Sequence, residues 1–440
     1  MSNRLFYQGI QIALVAGACY LPMKIIAGNN PNDEIPMEDV QRFSNALYQI
    51  KKNYVSSTKD AELFDNAIKG MVSSLDPHST YLNEKELTEL TTATSGNFAG
   101  LGIEITMENG VVKVITPLND SPAYKAGIKA GDYIIKLGAQ SVQGMTLDDA
   151  VSLMRGKPGS TIQLVVLRKG QDKPLNFNVV RETIQIKSVD SKLIDKHYGY
   201  VRLSQFQELT GKDMVKAIEA LKQQSGGKLT GLVLDLRNNP GGLLDSAIEV
   251  ADAFLDSKKS GAKEIIVYTK GRLPDSKYTA TATPGDIMNH APIVVLINSG
   301  SASASEIVAG ALKDNKRAVT MGTRSFGKGS VQTVLPLDDK RAIKLTTALY
   351  YTPSGTSIQA KGITPDIVIE ELKVSGQPKA DKLGAEFSEA SLSGHLANGN
   401  KADQNKGGEE SSQADMQKIM QEDYQLYSAL TVLKGLGMNQ

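Results

Sequence analysis

Two short apolar runs constrain this chain most, because a strand without polar positions must be covered on both faces. Residues 231–236 read Gly-Leu-Val-Leu-Asp-Leu, and residues 293–297 read Ile-Val-Val-Leu-Ile. Runs of this kind are typical of central parallel strands. Each is followed by a segment of helical periodicity, at 243–255 and 303–313. The alternation predicts an α/β core over residues 183–372, with a mostly parallel sheet and antiparallel additions.

The remaining segments differ from this core in pattern. The 440 residues leave room for about two to four domains. Apolar residues recur at spacings of three and four over residues 36–95, which predicts an N-terminal helical region. Residues 96–182 contain several short strands, with Asn109-Gly110 as a strong hairpin signal. The polar stretch 373–413 is typical of a disordered linker, and an amphipathic helix is expected over 414–440.

Composition excludes several classes of site. Lys and Arg total 49 against 48 Asp and Glu, so the net charge of +1 argues against a protein that binds nucleic acid by neutralising phosphates. The single cysteine, Cys19, rules out an internal disulfide and a cysteine-based metal centre. The four histidines show no metal-ligand spacing. We therefore expect no metal and no other cofactor.

The first 28 residues have the features of an export signal. A positive charge at Arg4 precedes a largely apolar run, and Ala16-Gly17-Ala18 is a small-x-small cleavage pattern. An uncleaved membrane anchor is a second interpretation, and lipidation of Cys19 is a third. We expect an exported, periplasmic protein, with membrane attachment left open by these alternatives.

Residues 96–182 resemble a PDZ domain in the order and spacing of their elements. The segment Gly100-Leu101-Gly102-Ile103 stands where such domains have their carboxylate-binding loop. In that binding mode, backbone N–H groups capture a C-terminal carboxylate while the peptide adds a strand to the sheet edge. The resemblance implies that these four residues bind a substrate tail.

Three motifs compete for the role of catalytic centre. Residues 322–329 nearly match a phosphate-binding loop, but Gly329 replaces the magnesium-binding hydroxyl and a strand pattern follows instead of a helix. Ser325-Phe326-Gly327-Lys328 is an S-x-x-K pattern, which would make Ser325 a nucleophile if it opened a helix. The serine run 299–305 follows a buried strand and opens a helix, where open α/β sheets place their sites.

The serine run alone is equally typical of helix capping. Other segments favour a catalytic role for the serine run over capping. Asp235 ends another buried strand, and the Gly241-Gly242 pair after it permits the close backbone approach that an oxyanion hole needs. Gln332 follows Lys328 by four residues, a spacing that returns a strand side chain to the same face.

Three motifs in this order resemble peptidase family S41, the carboxyl-terminal processing or tail-specific proteases. They are Ser-Ala-Ser-Glu-Ile at 303–307, Arg-x-Asn-Pro-Gly-Gly at 237–242 and Gly-Lys-Gly-Ser-Val-Gln at 327–332. The resemblance covers residues 40–372 and includes Leu75-Asp76-Pro77-His78-Ser79. It implies a multidomain α/β protein with a crotonase-like serine peptidase core, preceded by a helical region and a PDZ domain. The C-terminal helix that completes the predicted fold rests on its amphipathic pattern.

By this resemblance, Ser303 is the nucleophile, Lys328 the general base and Gln332 the group that orients the lysine. The oxyanion hole comes from backbone N–H groups of Ala304 and of the Gly241-Gly242 turn. Arg168 stands where some members sense the substrate and align the active site. The substrates implied are proteins with exposed, largely apolar C-termini, and an adaptor protein is a further partner that the family would allow.

A lysine base requires an explanation, since a free lysine titrates near 10.4. Lowering its pKa to about 7 costs roughly 4–5 kcal/mol, which burial of the cation can impose. Phe326 and Val331 are the expected apolar walls of such a site. An S-x-x-K acyl transferase and a PDZ scaffold with an inactive α/β body remain as other functions. Related proteases use terminal helices to assemble, so we also expect a homo-oligomer in which the last helix contributes a contact.

Overall fold

A computed structural model of the chain describes residues 35–260, 264–372 and 416–437, without the side chains of 259–260. The predicted export signal, Cys19 and the predicted linker lie outside the described residues. The chain separates into two units, Met1–Ile68 and Lys69–Gln440. No helix in the described ranges is both long enough and apolar enough to cross a membrane.

Helices and strands are numbered along the chain. The helices are α1 Met37–Asn53, α2 Asp60–Ser73, α3 Glu84–Ser95, α4 Pro122–Ala126, α5 Leu147–Met154, α6 Thr210–Gln224, α7 Leu244–Asp252, α8 Ser257–Ser260, α9 Ala304–Asp314 and α10 Tyr424–Gly437. The strands are β1 Thr80–Leu82, β2 Asn97–Gly100, β3 Ile103–Glu108, β4 Val111–Pro117, β5 Tyr133–Leu137, β6 Gln140–Ser141, β7 Thr161–Leu167, β8 Leu175–Val180, β9 Glu182–Gln185, β10 Val189–Ile194, β11 Tyr198–Leu203, β12 Gly231–Asp235, β13 Ile265–Gly271, β14 Tyr278–Thr281, β15 Ile293–Ile297, β16 Val319–Gly322, β17 Ser330–Pro336, β18 Ala342–Tyr351 and β19 Ile367–Val368.

The smaller unit contains α1 and the beginning of α2. The rings of Phe43 and Phe64 lie 6.2 Å apart. An ion pair of 2.8 Å joins Lys51 to Asp60. The helical periodicity of this region therefore produces the predicted helices, which contact each other through one aromatic and one charged pair.

The predicted parallel sheet is present in the larger unit, with strand order β10-β11-β12-β15-β16-β19. Strand β10 runs antiparallel to β11, and the other neighbours are parallel. Leu232 and Leu234 face a core formed with α6, α7 and α9, whereas Val233 faces the opposite side. Both faces are covered, which explains why the sequence of β12 has no alternation of apolar and polar residues.

A second, antiparallel sheet has the order β1-β18-β13-β14, and β17 pairs with β18. Strand β1 was not expected, because the sequence predicted helices throughout residues 36–95. Its three residues are too few for a period-two pattern to show, and the pairing of Thr80 with Lys344 fixes their extended conformation. The Asp76-Pro77-His78-Ser79 turn therefore leads into a strand.

The PDZ-like unit is a sheet of order β3-β4-β5-β7-β8, with β6 paired to β5. Asn109 and Gly110 join β3 to β4 with φ values of 53° and 76°. Positive φ at both positions is what a two-residue hairpin turn of the type predicted here requires. Separately, β2 pairs with β9, which connects the beginning of this unit to its end.

The last helix, α10, covers the free face of the parallel sheet. Leu426, Leu430 and Leu433 are buried there with Tyr200 and Val233. The apolar stripe that suggested an oligomer contact is thus occupied by the sheet of the same chain. The overall arrangement confirms the predicted fold class: helical region, PDZ domain, α/β core and C-terminal helix.

Candidate active site

The loops that follow β12 and β15 meet at the carboxyl edge of the sheet. The hydroxyl of Ser301 donates to the carbonyl of Leu236 at 2.7 Å, and the hydroxyl of Ser305 donates to the carbonyl of Asn239 at 2.8 Å. The amide of Asn298 donates to the side-chain oxygen of Asn238 at 2.9 Å. These bonds hold the serine run against the glycine turn. The hydroxyls of Ser301 and Ser305 therefore serve structural hydrogen bonds.

Ser303 lies at the junction between this loop and α9. Its φ of 54° and ψ of −111° are unusual for a residue with a side chain, a kind of strain that is common at functional sites. A Cβ placed on Gly241 would lie 2.9 Å from the Cβ of Ser303 and 3.0 Å from the nitrogen of Ala304. Only glycine allows the turn to approach Ser303 this closely.

The predicted oxyanion donors differ in their availability. The N–H of Gly241 donates to the side-chain oxygen of Asn239 at 2.9 Å, so it is already engaged. Within the described residues, no acceptor takes the N–H of Gly242 or of Ala304. The structure therefore leaves Gly242 and Ala304 as the free pair and assigns Gly241 a conformational role.

Glu306 connects the serine loop to the lysine loop, a role that the sequence analysis missed. Its Oε2 accepts the N–H of Ser303 at 2.8 Å and the N–H of Lys328 at 2.9 Å. Its Oε1 accepts the N–H of Gly327 at 2.7 Å and the hydroxyl of Ser325 at 2.6 Å. Four donors compensate for the full burial of this carboxylate. The Ser-x-x-Glu spacing from 303 to 306 is a capping-box signal that could have identified it.

Lys328 lies half-buried near Asp76, His78 and Lys344. Burial lowers the pKa of the Lys328 ammonium, and the charge of Lys344 lowers it further, while Asp76 and Glu306 oppose the change. The pKa of His78 is lowered as well, by burial and then by Lys328. The net effect lowers the pKa of Lys328 below that of a free lysine, which eases loss of its proton. Phe326, expected as a wall of the site, is instead 63% exposed.

Gln332 lies on β17, and its amide bonds to residues other than Lys328. Its Nε2 donates to the hydroxyl of Ser330 at 2.8 Å and to that of Thr346 at 3.4 Å. The pairing of β17 with β18 shifts register between Val331 and Gln332. The same-face argument from a spacing of four therefore does not lead to a hydrogen bond with Lys328 in this structure.

Tyr350 is a further residue that sequence reasoning did not find. It lies on β18, and its hydroxyl interacts with the side chain of Ser303. Burial raises the pKa of Tyr350 to about 12, so the phenol stays protonated at neutral pH. Nothing in the local sequence distinguishes this tyrosine from Tyr351 beside it.

The S-x-x-K pattern and the near match to a phosphate-binding loop have structural roles in the fold. Ser325 is 5% exposed, and its hydroxyl donates to Glu306 and accepts the N–H of Ile363 at 2.6 Å. It does not open a helix, because strand β17 begins at Ser330. The same strand replaces the helix that a phosphate-binding loop needs.

The segment predicted to be the carboxylate-binding loop borders a cavity of about 150 Å³. Its walls include Gly100, Leu101, Gly102 and Ile103 on one side, with Val151 and Met154 of α5 on the other. The carbonyls of Leu101 and Gly102 are bonded within the domain. In the described ranges their N–H groups have no acceptor. An apolar groove that ends in free amides is suited to a peptide C-terminus.

Arg168 is fixed within the PDZ domain. Its Nε and one terminal nitrogen bind the two carboxylate oxygens of Asp132 at 2.7 and 2.8 Å, and it also donates to the carbonyl of Gly127. This bidentate pair replaces the solvated charge that is usual for an arginine at a strand end.

Comparison with known proteins agrees with this geometry. The peptidase family S41 model matches residues 197–369, the PDZ domain model 99–179 and the model of the "Activating protease CtpB N-terminal domain" 2–86. The carboxy-terminal-processing protease of Bartonella bacilliformis is 45% identical over 92% of this chain and 90% of its own. The carboxy-terminal processing protease CtpA of Bacillus subtilis is 36% identical over 83% of this chain and 77% of its own.

Among solved structures, the photosystem II D1 C-terminal processing protease is 32% identical over 74% of this chain and 86% of that chain, with a TM-score of 0.43. The family model and the two curated relatives span the loops that carry Ser303, Lys328 and the glycine turn. The chain therefore belongs to peptidase family S41 and is a carboxy-terminal processing protease with a PDZ domain.

Proposed function

We propose that Ser303 is the nucleophile of a serine–lysine endopeptidase and that Lys328 is its general base. The observation that carries this proposal is the shared acceptor: one oxygen of Glu306 takes the N–H groups of both residues. This bond holds the two loops side by side although 25 positions separate them in sequence. The lowered pKa of Lys328 supports the same assignment, because only a neutral amine accepts a proton.

In the proposed reaction, the Lys328 amine takes the proton of the Ser303 hydroxyl as the oxygen attacks the substrate carbonyl. The N–H groups of Gly242 and Ala304 stabilise the negative oxygen that forms, with the N-terminus of α9 behind them. The leaving amine receives the proton from Lys328, and water then hydrolyses the acyl-enzyme. Gln332 orients Lys328 after its amide turns from Ser330, and Gly241 keeps the turn close to Ser303.

We further propose that the PDZ domain binds the C-terminus of the substrate and that this binding gates cleavage. The free amides of Leu101 and Gly102 would hold the terminal carboxylate, and the apolar walls would select apolar last residues. Arg168 would respond to the bound tail through its pair with Asp132. The resulting function is cleavage of exported proteins near their C-termini.

Cleavage of one unfolded protein with different tails tests this function. We expect a substrate with a free apolar C-terminus to be cut near that end, and intact masses of the products locate the cut. An amidated or acidic C-terminus should slow the reaction. Val151→Glu places a charge in the groove and should abolish the preference. Ser152→Glu, on the exposed neighbouring position, should preserve it. Equal rates for all tails would refute tail recognition.

Export and assembly complete the proposal. We infer that the chain is exported to the periplasm, and the mass of the mature N-terminus would distinguish a cleaved signal from an uncleaved anchor or a lipid on Cys19. We also propose that the chain forms a homo-oligomer and accepts substrates from an adaptor protein. Light scattering of the full chain tests assembly, and a purely monomeric mass would contradict it.

A further inference from the structure

The last helix reaches the active-site edge of the sheet through one charged contact. The carboxylate of Asp423, which immediately precedes α10, binds Arg237 with two parallel hydrogen bonds of 2.8 and 2.6 Å. Gln425 accepts a third bond from the same guanidinium at 3.0 Å. The Arg237 side chain is only 12% exposed, so the contact is largely shielded from water. A bidentate pair in such a place fixes direction as well as charge.

The other side of Arg237 binds its own strand. Its guanidinium donates to the fully buried carboxylate of Asp235 at 2.6 and 3.0 Å. Tyr200 donates its hydroxyl to the same carboxylate at 2.8 Å. Arg237 is therefore held between one carboxylate from the end of β12 and one from the start of α10. Asp423 supplies the outer half of this clamp from 186 positions away.

Arg237 directly precedes the turn that carries the free N–H of Gly242. Asn238 is bonded to Asn298, and the side chain of Asn239 donates to the carbonyl of Leu203 at 2.8 Å. These bonds hold the middle of the turn, whereas Arg237 holds its entry. Removing one carboxylate from the clamp would leave a shielded cation partly unpaired, and the guanidinium would move toward water.

We propose that Asp423 is a positioning residue for the oxyanion turn, so that the last helix completes the active site. The proposal rests on the function given above, in which this turn stabilises the transition state. Asp423 does not touch the reacting atoms. It acts through Arg237, and its loss should lower the rate of the chemical step more than the binding of substrate.

Asp423 has a second task that the test must separate. Its Oδ1 also accepts the N–H of Leu426 at 2.9 Å, which caps the beginning of α10. Serine caps a helix about as well as aspartate does, but its side chain is too short to bind Arg237 in two places. Alanine removes both contacts. Both Asp423→Ser and Asp423→Ala therefore lose the bidentate pair with Arg237, but only Asp423→Ala also loses the helix cap.

The experiment measures kcat, KM and melting temperature for the full chain and its variants. The substrate is an unfolded protein with a free apolar C-terminus. We expect both Asp423 variants to lose about tenfold to a hundredfold in kcat, the cost of a small misplacement of catalytic groups, with KM within about twofold. Both variants should melt below the wild type because each loses the ion pair, and Asp423→Ala should melt lowest because it also loses the cap. Glu422→Gln, an exposed neighbour, is the matched control and should match the wild type in all three values.

A wild-type kcat in Asp423→Ser would overturn the proposal, because the cap alone would then explain the residue. The proposal would also be overturned if kcat falls only where stability falls most, that is, strongly in Asp423→Ala and not in Asp423→Ser. Ser303→Ala is measured beside them. If it cleaves as fast as the wild type, the proposed nucleophile fails, whereas an inactive Ser303→Ala with a fully active Asp423→Ser rejects the clamp alone.

Discussion

Lys328 is a base only if it loses its proton near neutral pH, and the surroundings of this one side chain favour that loss. Burial is the larger cause, and the positive charge of Lys344 adds to it. No carboxylate in the described residues accepts a hydrogen bond from its ammonium, although Asp76 and Glu306 act on it through space. A direct ion pair would have stabilised the cation and made the residue a poor base.

Lys328→Arg keeps the positive charge but removes the basic amine. Guanidinium stays protonated in proteins, so it cannot accept the Ser303 proton. We expect cleavage to fall about as far as in Lys328→Ala, and we expect no recovery as the pH is raised. A pH profile of kcat/KM for the two variants measures this. Recovery of Lys328→Arg at high pH would show that the charge alone matters.

Lys344→Gln removes the neighbouring positive charge and should raise the pKa of Lys328. At a given pH below that pKa, a smaller fraction of Lys328 is then neutral. The acidic limb of the kcat/KM profile should therefore move to higher pH, with the lost rate regained there. Lys340→Gln is the control, since Lys340 is exposed and binds Glu84 at 3.1 Å. A shift to lower pH in Lys344→Gln would contradict the electrostatic explanation.

At the scale of elements, the site is made by two strand-to-helix loops that fit only with glycine between them. Gly241 has φ of +104°, and an added Cβ would lie 2.8 Å from the carbonyl oxygen of Ala302. The nearest atoms belong to the loop that holds Ser303, two of them backbone atoms and one the Cβ of Ser303, so they cannot move aside without moving Ser303 itself. The fit of these loops is therefore directly testable.

We expect Gly241→Ala to lower kcat by about a hundredfold, because the turn and Ser303 are pushed apart. Gly227→Ala is the matched control: its φ of +108° imposes similar backbone strain, but nothing lies within 4 Å of the added Cβ. Gly227→Ala should lose about 1–2 kcal/mol in free energy of unfolding from strain, and Gly241→Ala should lose more, because its Cβ also overlaps the neighbouring loop. Equal kcat values in the two variants would show that strain, and not contact, determines the effect.

The elements of the core could be predicted from sequence because apolar runs and helical spacings are local signals. The strands at 198–203 and 293–297 and the helix at 303–313 appear almost as expected. Strand β1 could not be predicted, since its conformation comes from pairing with β18. The long-range contacts of Glu306, Tyr350 and Asp423 were missed because their partners are distant in sequence, although a capping-box spacing marks Glu306 locally. The role of Gln332 came from the family resemblance, and the register shift beside it removes only the supporting argument from strand parity.

At the scale of the whole molecule, α10 works as the cover of the parallel sheet. Leu430 and Leu433 are fully buried on Tyr200, Val233 and their neighbours. Removal of such a helix exposes a contiguous apolar face, which favours aggregation or loss of the native state. The helix is thus part of the catalytic body and not a separate tether.

Deletion of residues 414–440 should therefore lower the melting temperature by about 10 °C or more and abolish cleavage. The reason is the loss of several buried leucines, each worth about 1.5–3 kcal/mol. Thermal unfolding of the truncated chain is the measurement, and deletion of residues 438–440 alone provides the control. A truncated chain that melts and cleaves like the full one would show that the sheet does not need this cover.

The central claim, that Ser303 and not Ser325 attacks the substrate, is tested most directly by turnover of an unfolded protein with a free apolar tail. Ser303→Ala and Ser325→Ala are compared with the wild type, and melting curves show the folded fraction of each. We predict no turnover above background for Ser303→Ala in a normally folded chain. Ser325→Ala should be less stable, because it leaves the N–H of Ile363 without a partner and removes one of the two donors to Glu306 Oε1, yet its folded fraction should still cleave. Wild-type turnover by Ser303→Ala, or a folded Ser325→Ala that is equally inactive, would contradict the assignment.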